Sequence, residues 1–310
     1  MYKVILFFRQ TLLEKRVSMK IIDAHLHVWD LETFYLSWIN GIGNILNRSY
    51  TMNDYKEDIE KDNKYNIEKA IYIEVDADYS QKHKENIFII DQYDNLKSII
   101  AGGVISGNME DEKFNLYIDK YKHPAIKGVR HVLHVDSSPK GICLKPSFIR
   151  NVQELGRRGL VFEACVRNPE LDDLYKMALQ CPETTIILDH MGNVDVDIIA
   201  KKNFTKEEEI YIKAWIENII KLASLENVVC KISGLNPVGQ WDIYTLKSAI
   251  DFVLDTFNDE RVIFGSNYPV CNISTKLIPW IEALDQITMD RGEIFRNKFF
   301  YKNAQRIYKL

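Results

Sequence analysis

Residues 21–29 read IIDAHLHVW, and this segment carries the clearest structural signal in the chain. A short apolar run ends in His25 and His27, which are two positions apart. Residues i and i+2 of a strand point to the same face. We therefore expect the two imidazoles to project together from the end of a strand, where they would serve one metal ion or one substrate. Two unrelated polar residues on a loop are the alternative.

Apolar runs of strand length recur along the chain and alternate with charged stretches that have helical character. Near-continuous apolar strands separated by helices indicate a parallel sheet covered on both faces. Eight such units are the count of a (β/α)8 barrel of the TIM type. A doubly wound sheet is the alternative, but no GxGxxG opens the first helix. The runs cover residues 20–24, 69–75, 98–104, 126–132, 159–166, 184–189, 227–232 and 261–265, and helical patterns cover 51–64, 146–158, 204–224 and 292–308.

Composition limits the class of protein. The chain has 310 residues, 46% of them hydrophobic, and a formal net charge of -4, so it can bury a large core and carries no basic stripe for nucleic acid. Its five scattered cysteines are typical of reduced thiols, which favours a cytoplasmic protein. We expect a small-molecule substrate and no nucleic-acid or membrane partner; a homo-oligomer stays open.

The first residues differ from the rest. An apolar start at residues 1–8 is followed by Arg9, Lys15 and Arg16, the reverse of the order in a signal peptide. Met19 directly precedes the first convincing strand. We expect residues 1–18 to be an extension that is not native or is disordered, and residues 19–310 to form one barrel domain.

Polar residues collect where the predicted strands end, and such positions are site positions in barrels. Five of the seven histidines fall there, whereas His83 and His123 have the character of surface residues. The polar residues at these ends are His25, His27, Glu74, Asp76, Arg130, His131, His134, Glu163, Asp189, His190, Lys231, Ser233 and Asn267.

Five segments in one order carry a family resemblance: IIDAHLHVW, KGVRHVLH, ILDHMG, NVVCKISGL and VIFGSNYPVC. Together they resemble the amidohydrolase superfamily, and within it the lactonase branch with the sugar-acid lactonases and 2-pyrone-4,6-dicarboxylate lactonase. The resemblance extends over nearly the whole chain. It implies a (β/α)8 barrel, hydrolysis of a lactone ring, and a site that contains His25, His27, Arg130, His190 and position 267. It also implies that a metal is present in some members and absent from others.

One departure concerns the catalytic base. The family segment normally reads Gly-Ser-Asp-Trp-Pro, with the Asp as general base, and this chain has Gly-Ser-Asn-Tyr-Pro at 265–269. A carboxamide does not take up a proton near neutral pH, and loss of a general base costs roughly 10²–10⁴-fold in rate. Glu163 and Asp76 are the candidate replacements; the alternative is that each is a structural partner of Arg130 or Lys231.

The expected site therefore has three groups of residues. The candidate catalytic residues are Asn267, His190, Arg130 and Glu163. The candidate substrate-binding residues are Arg130, His131, Trp29 and Tyr268. His25, His27 and His190 are the candidate ligands of one divalent metal such as Zn²⁺, and metal-free action through the same histidines is the alternative.

Three functions stay open on this basis. The first is a lactonase that acts on a sugar-acid lactone. The second is a metal-dependent decarboxylase of the same superfamily. The third is a sugar-acid binding protein that has lost turnover.

Overall fold

The computed structural model describes residues 18–135 and 138–310. The proposed extension at residues 1–18 therefore lies, except for Ser18, outside the described residues. Eight parallel strands pair in sequence order to form one sheet. The strands are β1 (Met19–Leu26), β2 (Tyr65–Ile73), β3 (Ile100–Ser106), β4 (Ile126–Arg130), β5 (Val161–Ala164), β6 (Ile186–Leu188), β7 (Val228–Ile232) and β8 (Val262–Phe264).

The sheet curls until β8 meets β1, which gives the predicted (β/α)8 barrel. The His27 N–H donates to the Tyr268 carbonyl at 2.8 Å, and the Asn267 N–H donates to the His25 carbonyl at 2.8 Å. The Ser266 hydroxyl adds a hydrogen bond of 2.5 Å to Asp23. These bonds between the first and last strand regions form the closure seam, and they lie beside the histidines that the sequence singles out.

Helices cover the outside of the barrel. Local sequence starts several of them: Thr51 and Thr205 each form a capping box, and Pro146 occupies the first turn of its helix. The α-helices are α1 (Met52–Ile59), α2 (Lys82–Asp94), α3 (Phe114–Asp119), α4 (Pro146–Arg157), α5 (Leu171–Leu179), α6 (Val196–Ile199), α7 (Lys206–Ala223), α8 (Ile243–Phe257), α9 (Leu277–Thr288), α10 (Gly292–Asn297) and α11 (Asn303–Ile307).

Shorter turns complete the chain. A π-helix at Lys298–Lys302 joins α10 to α11, so the predicted helix at 292–308 forms with one wide turn inside it. No helix of the described residues is long and apolar enough to cross a bilayer. The 3-10 turns are Ser37–Ile39, Tyr79–Gln81, Ile142–Leu144, Asn168–Glu170, Val270–Ile273 and Met289–Arg291, and a further short turn spans His190–Asn193.

A separate apolar cluster fills the barrel interior. Every strand except β4 contributes to it, and Ala304, Ile307 and Tyr308 of the C-terminal segment pack against it. The C-terminal segment therefore plugs the barrel. The strand residues of the cluster are Ile22, Ala24, Ile71, Ile73, Val104, Val161, Ile187, Val229 and Ile263.

Candidate active site

Three histidines converge at the carboxyl ends of β1 and β6, as predicted, and we call them the histidine cluster: His25, His27 and His190. The Nε2 atoms of His25 and His27 are 3.1 Å apart. The ring centroids of His25 and His190 are 4.7 Å apart. The register of β1 against β2 shifts between Asp23 and Leu26, so His25 lies in an irregular part of the strand, and such irregularities are common beside active sites.

A different neighbour holds the Nδ1 atom of each ring. Lys231 Nζ lies 3.2 Å from Nδ1 of His25, the Ile73 carbonyl 2.8 Å from that of His27, and the Ser233 hydroxyl 2.8 Å from that of His190. Such second contacts fix the orientation of an imidazole. Burial lowers the pKa of His27 to about 3, with a further contribution from the Arg130 charge.

Close backbone approach also shapes the cluster. A Cβ atom on Gly265 would lie 2.7 Å from the His25 Cβ. Gly234 has a φ of +61°, and a Cβ there would overlap the His190 ring. Both positions therefore require glycine.

A fully buried charge network lies beneath the histidine cluster. The Lys231 ammonium is 2.6 Å from Glu163 and 3.1 Å from Asp189, and the Tyr308 hydroxyl donates to Glu163 at 2.5 Å. Burial raises the pKa of Glu163, and the Asp189 charge adds to this effect. Burial alone would raise the pKa of Asp189 as well, but Lys231 and His25 outweigh it and hold that pKa well below its usual range. Lys231 thus links the barrel plug to the site.

Arg130 is held by Glu74, at the end of β2. Its Nε donates to the Glu74 carboxylate at 2.5 Å and its Nη2 to the Glu74 carbonyl at 2.6 Å. Burial alone would lower the pKa of Arg130, but the Glu74 charge outweighs it and raises the pKa. The alternative partners that the sequence suggested, Glu163 and Asp76, are not the ones found: Arg130 pairs with Glu74.

A cavity of about 280 Å³ opens in front of the histidine cluster, and we call it the site cavity. Four of the predicted site residues line it, namely His27, Arg130, His190 and Asn267, and the fully buried His25 adjoins them. Its other lining residues are Trp38, Ile42, Val75, Asp76, Val132, His134, Val135, Cys165, Asn193, Gly234, Asn236 and Val270.

The other predicted site residues lie elsewhere. Glu163 belongs to the buried network and pairs with Lys231, the structural alternative that the sequence left open. His131 lines a neighbouring cavity of about 670 Å³ and stacks on Phe148. Trp29 is buried and donates to the Arg48 carbonyl, and Tyr268 packs between Tyr50 and Tyr55.

Left-handed backbone concentrates around the site cavity. Seven described residues other than glycine have positive φ, and four of these line the cavity: Asp76, His190, Asn193 and Asn267, with φ between 50° and 56°. Such conformations cost free energy and cluster at functional sites. Asp and Asn tolerate them best among residues with a side chain.

The donor set suits a divalent cation. Ligand atoms of His25, Asp189 and His190 all lie within 4.8 Å of one another, and all three side chains are buried. Lys231, however, occupies the His25 Nδ1 side, where its charge would repel a cation. On the other side, the His25–His27 Nε2 separation of 3.1 Å is close to the edge of a zinc tetrahedron with bonds of about 2.0 Å. The group of three found in the structure shares His25 and His190 with the predicted ligand set and contains Asp189 in place of His27.

Four residues that bond to the site residues were noted at strand ends but received no catalytic, substrate-binding or metal role from the sequence. They are Glu74, Asp189, Lys231 and Ser233. Each lies within one residue of the end of a predicted strand, and this position is the signal that the sequence carries for them. Their partners lie on other strands, 43 positions away for His190–Ser233 and 68 for Lys231–Glu163. Only the barrel register brings them together.

Comparison with known proteins matches this architecture. An L-fucono-1,5-lactonase from Burkholderia multivorans is 26% identical over 161 residues, which cover 50% of this chain and 52% of that protein. An L-rhamnono-gamma-lactonase from Scheffersomyces stipitis is 23% identical over 94% of this chain and 99% of that protein. The fold matches a crystal structure of an amidohydrolase from Burkholderia multivorans with bound zinc, at a TM-score of 0.81 and 21% identity, over 94% of this chain and 99% of that one.

The family profile described as amidohydrolase matches residues 22–310, from the first strand to the C-terminus. This range contains the closure seam, the histidine cluster and the barrel plug. The resemblance inferred from the five sequence segments is confirmed, and the chain belongs to the amidohydrolase family.

Proposed function

We propose that this protein hydrolyses the ester bond of a lactone, with sugar-acid lactones as the substrate class. The observation that carries the proposal is the convergence of three buried imidazoles and the Arg130 guanidinium at one cavity. The lactonase relatives support the same chemistry. A volume of about 280 Å³ lies just below the usual range of ligand pockets, roughly 300–1,000 Å³, which favours a substrate with a single ring.

In this proposal the residues of the cavity have different roles. Arg130 faces the lactone carbonyl, where its positive charge stabilises the oxyanion that forms as water attacks. Because Glu74 occupies two of its donor groups, Arg130 acts mainly through its charge. Trp38 offers a ring face to the sugar.

His25, His27 and His190 would hold a divalent metal, and the zinc bound in the solved relative supports the presence of such a metal. When bound, the metal would polarise the carbonyl oxygen as a Lewis acid. Asn267 lies in the cavity wall, where its amide orients a ligand without accepting a proton.

The test combines metal analysis of the purified protein with an assay of a sugar-acid lactone library. We expect lactone hydrolysis by the wild-type protein. His190→Ala should abolish turnover while the melting temperature changes little, because this side chain packs at the cavity wall rather than in the core. Carbon dioxide release from aromatic acids without lactone turnover would instead identify a decarboxylase. Tight lactone binding without turnover would identify a binding protein.

A further inference from the structure

Lactone hydrolysis requires a group that takes a proton from the attacking water. The Asn267 amide in the cavity wall has no basic atom for this purpose. We propose that the Asp76 carboxylate, at the mouth of the barrel after β2, is the general base of the site. This inference rests on the proposed function and adds a catalytic residue to it.

Asp76 has the right position and chemical type. Among the described residues, it is the single carboxylate that lines the site cavity, and it also lines the neighbouring larger cavity. Its side chain is partly exposed, so water reaches it. Glu163, the other candidate from the sequence, is fully buried and bonded to Lys231 and Tyr308, away from the cavity.

The histidines of the cavity are already engaged. His27 is bonded through Nδ1 to Ile73, and its Nε2 faces His25. His190 is bonded through Nδ1 to Ser233 and offers the metal its other nitrogen. His134 is bonded through Nδ1 to the Cys165 thiol at 3.2 Å, and burial together with the Arg130 charge lowers the pKa of this ring.

The surroundings of Asp76 hold it in place. Its backbone has a φ of +50°, and its N–H donates to Glu74 Oε2 at 2.8 Å, while the other Glu74 oxygen binds Arg130. Glu74 is therefore a positioning residue for both neighbours. The Lys82 ammonium lies 3.5 Å from the Asp76 carboxylate.

The groups around Asp76 make it a stronger base than an ordinary aspartate. Burial and the Glu74 carboxylate raise the pKa of Asp76, whereas Lys82 and Arg130 oppose that shift. His134 is the other titratable group that interacts with this carboxylate. A base with a raised pKa takes up a proton more readily than an ordinary aspartate does.

The step balances without a further reactant. Asp76 takes one proton from water as the water oxygen bonds to the carbonyl carbon. The ring C–O bond then breaks, and the proton passes from Asp76 to the departing oxygen. The product is an open-chain hydroxy acid, and the carboxylate is regenerated.

Asp76→Asn is the central variant, because Asn also tolerates positive φ and the fold should persist. With a lactone that the wild-type protein hydrolyses, we expect kcat to fall roughly 10²–10⁴-fold at little change in melting temperature. Asp78→Asn, the same chemical change on an exposed residue outside the cavity, is the matched control and should leave kcat close to wild type.

Two further variants separate catalysis from structure. Asn267→Asp in the Asp76→Asn background supplies a carboxylate from the other wall and should recover a large part of the lost rate. Lys82→Met removes a cation that lowers the pKa of Asp76, so the acid limb of the kcat/KM profile should move to higher pH.

The outcomes are distinguishable. Wild-type protein without lactone turnover overturns the proposed function and this inference together. Lactone turnover that persists in Asp76→Asn overturns the inference alone, and loss of turnover in His134→Asn with full activity in Asp76→Asn would assign the base to His134.

Discussion

Lys231 is a fully buried cation shared by two carboxylates, and its loss would leave both uncompensated. Removing one partner of a buried ion pair costs about 3–5 kcal/mol. We expect Lys231→Met to lower the free energy of unfolding by about this amount. Glu163→Gln should lower the free energy of unfolding by less, because Lys231 still forms its ion pair with Asp189.

Urea denaturation of both variants measures this difference. An equal or larger loss for Glu163→Gln would contradict the shared-cation arrangement. If the Glu163→Gln variant has wild-type stability but no turnover, Glu163 is a catalytic residue after all.

Glu85 on α2 gives a prediction about pH. Its carboxylate accepts from the Tyr72 hydroxyl at 2.9 Å and from the Val75 N–H at 2.6 Å, and its second oxygen is buried without a partner. Burial, with help from the Glu74 charge, raises the pKa of Glu85 from 4.5 to about 8. The folded chain therefore holds this proton more tightly than the unfolded chain does.

Its contribution to stability is complete below pH 4.5 and is lost as the pH rises through 8. We expect Glu85→Gln, which stays neutral, to reduce the fall in stability across this range by up to about 1.4 kcal/mol per pH unit. Urea denaturation at several pH values checks this, with Glu57→Gln on the surface of α1 as control. If the free energy of unfolding falls equally with pH in the wild type and in Glu85→Gln, the prediction is wrong.

At the scale of elements, the short strand β8 and the segment after it form one wall of the site. Gly265 leaves room for His25, so Gly265→Ala should displace the ring and lower both kcat and the melting temperature. Gly239→Ala is the control: a Cβ there meets nothing within 4 Å, and the variant carries only the cost of positive φ, about 1–2 kcal/mol. Equal effects of the two variants would contradict the close-approach argument.

The strands could be predicted because each is a run of apolar residues buried on both faces. The exact ends of the strands could not be predicted. The apolar run at 159–166, for example, is longer than the strand Val161–Ala164 that it contains, because the residues after the strand leave the ladder and turn toward the site. His25, His27, Arg130, His190 and Asn267 were identified from strand ends and motif resemblance. Trp29 and Tyr268 lie beyond the strands, where the period of two no longer tells which way a side chain points.

At the scale of the whole molecule, the C-terminal segment closes the barrel interior. Ile307 and Tyr308 pack on the inner apolar cluster, and Tyr308 also bonds Glu163. Deleting residues 303–310 should expose that cluster and lower the melting temperature strongly, with increased binding of a hydrophobic dye. Deleting Leu310 alone is the control and should change the melting temperature little. A stable, active protein without residues 303–310 would contradict the role of the plug.

The closure seam joins residues from the two ends of the chain: the Asp23–Ser266 hydrogen bond spans 243 positions. Joining such distant segments costs more loop entropy than local pairing does. The order of synthesis therefore matters, because the first strand leaves the ribosome long before its partner is made. Until the residues around Ser266 emerge, His25 and His27 lack the wall that completes their site, so the proposed site is assembled only after the eighth strand has been synthesised.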